Sequence, residues 1–178
     1  FGVEALGEWP VDPVTKAAAF GNVSQYFRFE NVVFQEFDTG IILHNTNAAD
    51  CNTTKQMCNS WQFDNIRVDH GIFINNRTGI SINTFNTDWT IANSQFNFME
   101  ADAPGYGIHV KRAASILIEN TFGGGYDYGG SIGGTFIHID SVGTMTLVGV
   151  SSERSRKSIS ATGYGAVSSQ SLQVIGSV

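Results

Sequence analysis

Charge is what this sequence has least of. Lys, Arg, Asp and Glu together make up only 15% of 178 residues, and the net charge is −6. Basic residues cluster nowhere beyond Arg154 to Lys157, so the electrostatic footprint of a nucleic-acid binder is missing. No apolar run approaches the length of a membrane span, and no signal peptide is visible. Neither nucleic acid nor membrane is therefore expected as a partner. Proline is scarce at 3 residues, and helix-length periodic segments are absent from the body of the chain. Cysteine is limited to Cys51 and Cys58. With no His or third Cys beside them, the two read as a local disulfide pinning an inserted loop, which implies an oxidising compartment.

What the sequence has is Gly, 20 residues of it, much Asn, Ser and Thr, and a repeated grammar. Trp89-x-Ile91-x-Asn93-Ser94-x-Phe96 is followed, after a polar loop, by Gly107-Ile108-x-Val110. The same order stands upstream as Trp61-x-Phe63-x-Asn65-Ile66-x-Val68 with Gly79-Ile80-x-Ile82. Earlier still comes Phe27-x-Phe29-x-Asn31-Val32-x-Phe34 with Gly40-Ile41-x-Leu43. Downstream are Ile116-x-Ile118-x-Asn120, Met145-x-Leu147-x-Gly149 and Leu172-x-Val174-x-Gly176. The markers at 31, 65, 93, 120, 149 and 176 lie 34, 28, 27, 29 and 27 residues apart. A period in this range signals a solenoid, and the alternation inside each run makes its elements strands.

The expectation is an all-β parallel β-helix, a solenoid of about six turns with three strands per turn. Each marker sits between two alternating runs with no room for a loop, so the chain must bend within about one residue. Asn tolerates the left-handed conformation such a bend requires, and Gly149 and Gly176 meet the same demand. Stacked asparagines then form an amide ladder up the solenoid. Tyr26 to Val178 in this respect resembles the right-handed parallel β-helix of the pectate-lyase-like superfamily, with its asparagine ladder at the short turn. Residues 1–25 do not carry the repeat and read as a connector or partial cap, with Thr15 to Phe20 long enough for a turn or so of helix. The weak cap, and a start at Phe1 instead of Met, lead us to expect processing or further β-helix turns beyond the chain ends, or a homotrimer.

Inward positions are expected to stack in columns. One runs Phe27, Trp61, Trp89, Ile116, Met145, Leu172, and the next Phe29, Phe63, Ile91, Ile118, Leu147, Val174. Past the marker runs Val32, Ile66, Ser94, Thr121, Val150. After the glycine run Ile41, Ile80, Ile108, Ile137 and Leu43, Ile82, Val110, Ile139. The outward rows of that last strand then become Ile42, Ser81, His109, His138 and His44, Asn83, Lys111, Asp140. Neighbouring strands lie about 4.8 Å apart, so His109, Lys111, His138 and Asp140 should form one polar patch.

Such a patch fits either a solvated sheet face or a groove for a glycan. Lys111 with His109 or His138 suits proton abstraction, and carboxylates suit acid–base work on a glycosidic bond. The neighbouring loops offer Glu100, Asp102 and Tyr106, then Tyr126 and Tyr128 in a Gly-rich stretch, then Glu153 and Arg154. Acids and ring faces of this kind bind sugars. Asn86-Thr87-Asp88 spells the acidic motif of polygalacturonases, but it leads into the Trp89 strand and its paired aspartates are missing, so those roles are not carried over. No metal and no cofactor is expected. The function expected is action on a polysaccharide as a hydrolase or lyase, in an extracellular or virion-surface setting. The alternative is a non-catalytic structural or adhesive module such as a phage tailspike or fibre segment. Sequons at Asn22, Asn52 and Asn76 permit glycosylation if the source is eukaryotic.

Overall fold

The computed structural model describes residues 2–7, 24–25, 27–45, 63–83, 88–99, 105–126, 133–153, 155–162 and 171–176. Among them every regular element is a β-strand. In chain order these are β1 (Val3–Gly7), β2 (Ser24–Gln25), β3 (Arg28–Glu30), β4 (Val33–Gln35), β5 (Thr39–Asn45) and β6 (Phe63–Asp64). Next come β7 (Ile66–Asp69), β8 (Ile72–Ile74), β9 (Thr78–Asn83), β10 (Asp88–Ala92), β11 (Gln95–Met99) and β12 (Tyr106–Glu119). The last are β13 (Phe122–Tyr126), β14 (Gly133–Ile139), β15 (Val142–Val148), β16 (Ser151–Glu153), β17 (Ser155–Ala161) and β18 (Ser171–Ile175).

All pairings among them are parallel, in three long ladders and one short pair. The first ladder runs β1, β5, β9, β12, β14, β17. The second runs β3, β7, β10, β12, β15, β18. The third runs β4, β8, β11, β13, β16, and β2 pairs with β6. From β7 onward the chain visits second, third and first ladder in that fixed order. The long strand β12 serves two of them, its first part in the first ladder and its last in the second.

Burial explains why these stretches are strands. In the first ladder Ile41, Ile80, Ile108 and Ile137 stand in register with no exposed surface, and Leu43, Ile82 and Val110 stand likewise. Each such side chain contributes roughly 1.5–3 kcal/mol when fully buried. The third ladder is a file of rings. Phe34 stacks on Phe73 with centroids 5.3 Å apart, and Phe73 on Phe96 at 4.5 Å with planes 1° apart. The next position in register with Phe96 is Gly123. There the ring of Phe136, reaching in from β14, occupies the space a side chain at Gly123 would need.

The second ladder departs from the expected register. Trp89 pairs with Ile66 and Ile91 with Val68, where the spacing predicts Trp61 and Phe63. Asn31 N–H bonds to Asp69 O, His70 N–H to Ala92 O, and Asn93 N–H to Glu119 O. The bend column is therefore Asn31, His70, Asn93, Asn120, Gly149 and Gly176, all at positive φ. Asn65 also has positive φ, at 52°, but it bends the chain between β6 and β7 and stands outside that column. This stretch bends twice within a few residues, and both flanking runs alternate. The register is settled by Gly71, which takes the place expected of Ile66: Ser94 Oγ accepts its N–H at 3.1 Å, where an added Cβ would crowd Phe73 and Val68.

Two further expectations change. Residues 1–25 carry no repeat in their sequence, yet Val3–Gly7 pairs with β5 and extends the first ladder. Asn76, a sequon in the sequence, is 1% exposed. Its Nδ2 donates to Phe34 O at 2.8 Å and its Oδ1 accepts the Phe37 N–H at 2.9 Å. A glycan has no access there. Replacing Asn76 by Ala removes both of these bonds and is expected to cost about 1–3 kcal/mol, read as a lower urea midpoint at unchanged slope. Cys51, Cys58, Trp61, Asn22 and Asn52 lie outside the described residues.

Candidate functional site

The register of the first ladder brings the row expected to face outward into one file, although Ser81 in it is buried. Ile42 stands opposite Ser81, Ser81 opposite His109, and His109 opposite His138. With Ile108 and Val110 turned into the core, His109 between them must face out. The same alternation places His138 outward between Ile137 and Ile139. Asp140 follows the last residue of β14, and its N–H bonds to Val110 O at 2.8 Å, which fixes it beside the pair.

The three side chains converge. His109 Nε2 lies 2.9 Å from Asp140 Oδ2, and His138 Nε2 lies 3.2 Å from Asp140 Oδ1. Each carboxylate oxygen thus faces one imidazole, hydrogen-bonded in the case of His109. Thr162 Oγ1 donates to Oδ1 at 2.7 Å and holds the carboxylate from the far side. The Tyr106 ring packs against both histidines, with centroids 4.6 Å from His109 and 4.8 Å from His138. The imidazoles are mostly covered, with 16% and 12% of their side chains exposed, while Asp140 keeps 43%.

Burial sets the electrostatics first. It pushes the His109 imidazole below its ordinary pKa, an effect the Asp140 carboxylate offsets only in part; the charges of His138 and Lys111 push the same way. Burial works against the charge of Asp140. The hydrogen bonds from Thr162 and His109, together with the fields of both histidines, outweigh it and hold the carboxyl below the ordinary carboxylate range. The site therefore pairs an ionised carboxylate with a largely neutral imidazole near pH 7. That combination orients a ring nitrogen to take or give a proton. The same donor atoms also fit a metal ion, since one ligand atom from each of His109, His138 and Asp140 lies within 4.8 Å of the others.

Not every expected residue joins. Lys111 falls at a β-bulge: the register shifts between Val110 and Arg112, so Arg112 and not Lys111 stands opposite Asn83. The extra residue leaves Lys111 exposed and out of the row. The Gly-rich stretch expected to be a loop is strand β13, and Tyr126 ends it opposite Met99 in the third ladder. Glu153, also expected in a loop, ends β16 opposite Gly124. Glu100, Asp102, Tyr128 and Arg154 lie outside the described residues. Thr162 is a site residue that sequence reasoning missed. It follows a strand, Ser155–Ala161, that lacks the glycine marker, although Ile159 and Ala161 continue the inward columns and carry the signal.

A second polar cluster closes the bend of the second ladder. Asp69, 8% exposed at its side chain, accepts from Asn93 Nδ2 and Arg67 Nη2, each at 3.0 Å, and lies 3.0 Å from His70 Nδ1. The Asn93 bond, against the opposing effect of burial and with help from Arg67, holds its carboxyl below the ordinary 3.8. A carboxyl depressed on folding stabilises fully above its unfolded value and loses that contribution as pH falls through the folded one. The stability advantage of wild type over Asp69→Asn should thus stay level from neutral pH down to the ordinary carboxylate range and shrink below it. Urea midpoints of both proteins across that range check this; an advantage that grows on acidification would contradict it.

Comparison with protein-family models, curated proteins and solved structures finds no match to this chain.

Proposed function

We propose that the three ladders are the faces of a right-handed parallel β-helix of about six turns like that of the pectate-lyase-like superfamily, acting on a polysaccharide along the outer face of its first ladder. The handedness follows the rule for parallel crossovers. In this reading Asn93 and Asn120 belong to the amide ladder, Asn120 Nδ2 donating to Asn93 Oδ1 at 3.5 Å and Asn93 Nδ2 to Asp69 at 3.0 Å. The observation that carries the functional reading is the convergence of His109, His138 and Asp140 on an outward row, where a solvated sheet face needs no such order. The reaction is proton transfer at a sugar ring or glycosidic oxygen, as hydrolase or lyase, with Lys111 as a nearby cation and Glu100, Asp102, Tyr106 and Tyr128 proposed as substrate contacts. An extracellular or virion-surface setting suits such a substrate. Turnover on a panel of polysaccharides tests this: absorbance from unsaturated uronate ends reports a lyase, and new reducing ends without it report a hydrolase. No turnover on neutral or acidic glycans would remove the enzyme reading.

The second reading is a non-catalytic tailspike, fibre or adhesin module in which the stacked parallel ladders act as a rigid spacer. A trimer in sedimentation equilibrium that turns over no glycan would support this module.

A further inference from the structure

We propose that His109, His138 and Asp140 form a binding site for a divalent transition-metal ion of the zinc and cobalt class. Two imidazole nitrogens and one carboxylate are the donor set such ions prefer over calcium or magnesium. The ligand atoms lie within 4.8 Å of one another. In a tetrahedral site with bonds of about 2.0–2.1 Å, neighbouring ligand atoms sit about 3.3 Å apart. His109 Nε2 and His138 Nε2 lie 2.9 Å and 3.2 Å from the two different oxygens of Asp140, with the whole donor set inside 4.8 Å, so an ion would draw the ring nitrogens and one shared oxygen together by side-chain rotation.

Two features beyond the donor count support an ion over a mere hydrogen-bonded trio. Both histidines present the same atom, Nε2, to one carboxylate, because they stand opposite each other in a parallel ladder. Backbone register thus fixes the bite of the site, as it must for a rigid ligand set. Thr162 holds Asp140 from outside the trio at 2.7 Å, the kind of outer hydrogen bond that orients a ligating carboxylate. Three protein ligands leave one or two positions open, facing the solvent side where Asp140 is 43% exposed. A water or a sugar hydroxyl is the natural occupant, and an ion there lowers the pKa of either. Lys111, the cationic neighbour, is exposed, so its repulsion is screened by water.

The inference concerns the same three side chains as the glycan reading, but its test needs no saccharide, so the two can fail separately. Co²⁺ is titrated into metal-free protein while the visible ligand-field bands of low-coordinate cobalt are followed, and Zn²⁺ is then added as competitor. One equivalent per chain should bind and be displaced by Zn²⁺. His138→Ala and Asp140→Asn should each abolish the bands, and Thr162→Val should weaken binding by about 10–100-fold. His70→Ala, at the bend of the second ladder, should leave the titration unchanged. Circular dichroism establishes that each variant is folded; should His138→Ala fail to fold, the isosteric Asp140→Asn decides alone. Wild-type protein without saturable bands, or bands undiminished in Asp140→Asn, would overturn the proposal.

Discussion

Phe73→Ala is expected to lower the stability of this protein by about 3–5 kcal/mol. Phe73 is 1% exposed and sits between two other rings, parallel to Phe96 within 1° and stacked on Phe34. Truncation removes the transfer free energy of the ring and two aromatic pairs of about 0.5–1.5 kcal/mol each. Relaxation cannot refill the space, because Phe34 and Phe96 are held on strands whose pairing with β8 is parallel and continuous. Phe73→Leu keeps most of the volume and should cost markedly less. Val33→Ala, at a position 59% exposed on β4, serves as the reference and should shift stability by no more than about 0.5 kcal/mol. Urea unfolding followed by circular dichroism measures all three. A Phe73→Ala loss no larger than that of Val33→Ala would mean that the ring file is not a core.

The second large effect is on turnover. Under the proposed function, Asp140→Asn should reduce kcat/KM by about 10²–10⁴ on a polysaccharide found to be cleaved, the range of a lost acid–base contribution. The amide keeps the shape of the carboxylate but removes the charge that both His109 and His138 face at 2.9 Å and 3.2 Å. It also disturbs ring orientation, because an amide offers one acceptor where two oxygens served two imidazoles. With 43% of its side chain exposed, Asp140 contributes only modestly to stability, so the melting temperature should fall slightly and the variant stay folded. Turnover within twofold of wild type would place the chemistry elsewhere on the surface.

How much of this is legible in the sequence depends on the ladder. The middle of the first ladder reads correctly, because Gly precedes Ile41, Ile80 and Ile108, and these with Ile137 alternate with the residues between them without a competing pattern. That is why residue spacing alone places His109 and His138 together. The second ladder misleads by one run, since Phe63-x-Asn65 and Val68-x-His70 offer the same alternation and the same kind of bend. His70 at φ 54° is an uncommon residue for a left-handed bend, and residue preference alone points to Asn65. Lys111 is misplaced by spacing because a β-bulge adds one residue without a compositional signature. The aromatic file is invisible for a different reason. Phe34, Phe73 and Phe96 come from short strands, and the fourth ring, Phe136, arrives from another ladder into the space left by Gly123.

The central claim is that residues far apart in sequence lie in register, strand over strand, along the first ladder. Methyl–methyl NOE spectroscopy on protein labelled at isoleucine δ1 methyls tests it most directly. The structure predicts an unbroken walk from Ile41 to Ile80, to Ile108, to Ile137 and to Ile159, with the Ile108–Ile137 step spanning the histidine pair. A walk that skips or reorders these residues, or cross-strand contacts of antiparallel hairpins in its place, would contradict the register and the site built on it.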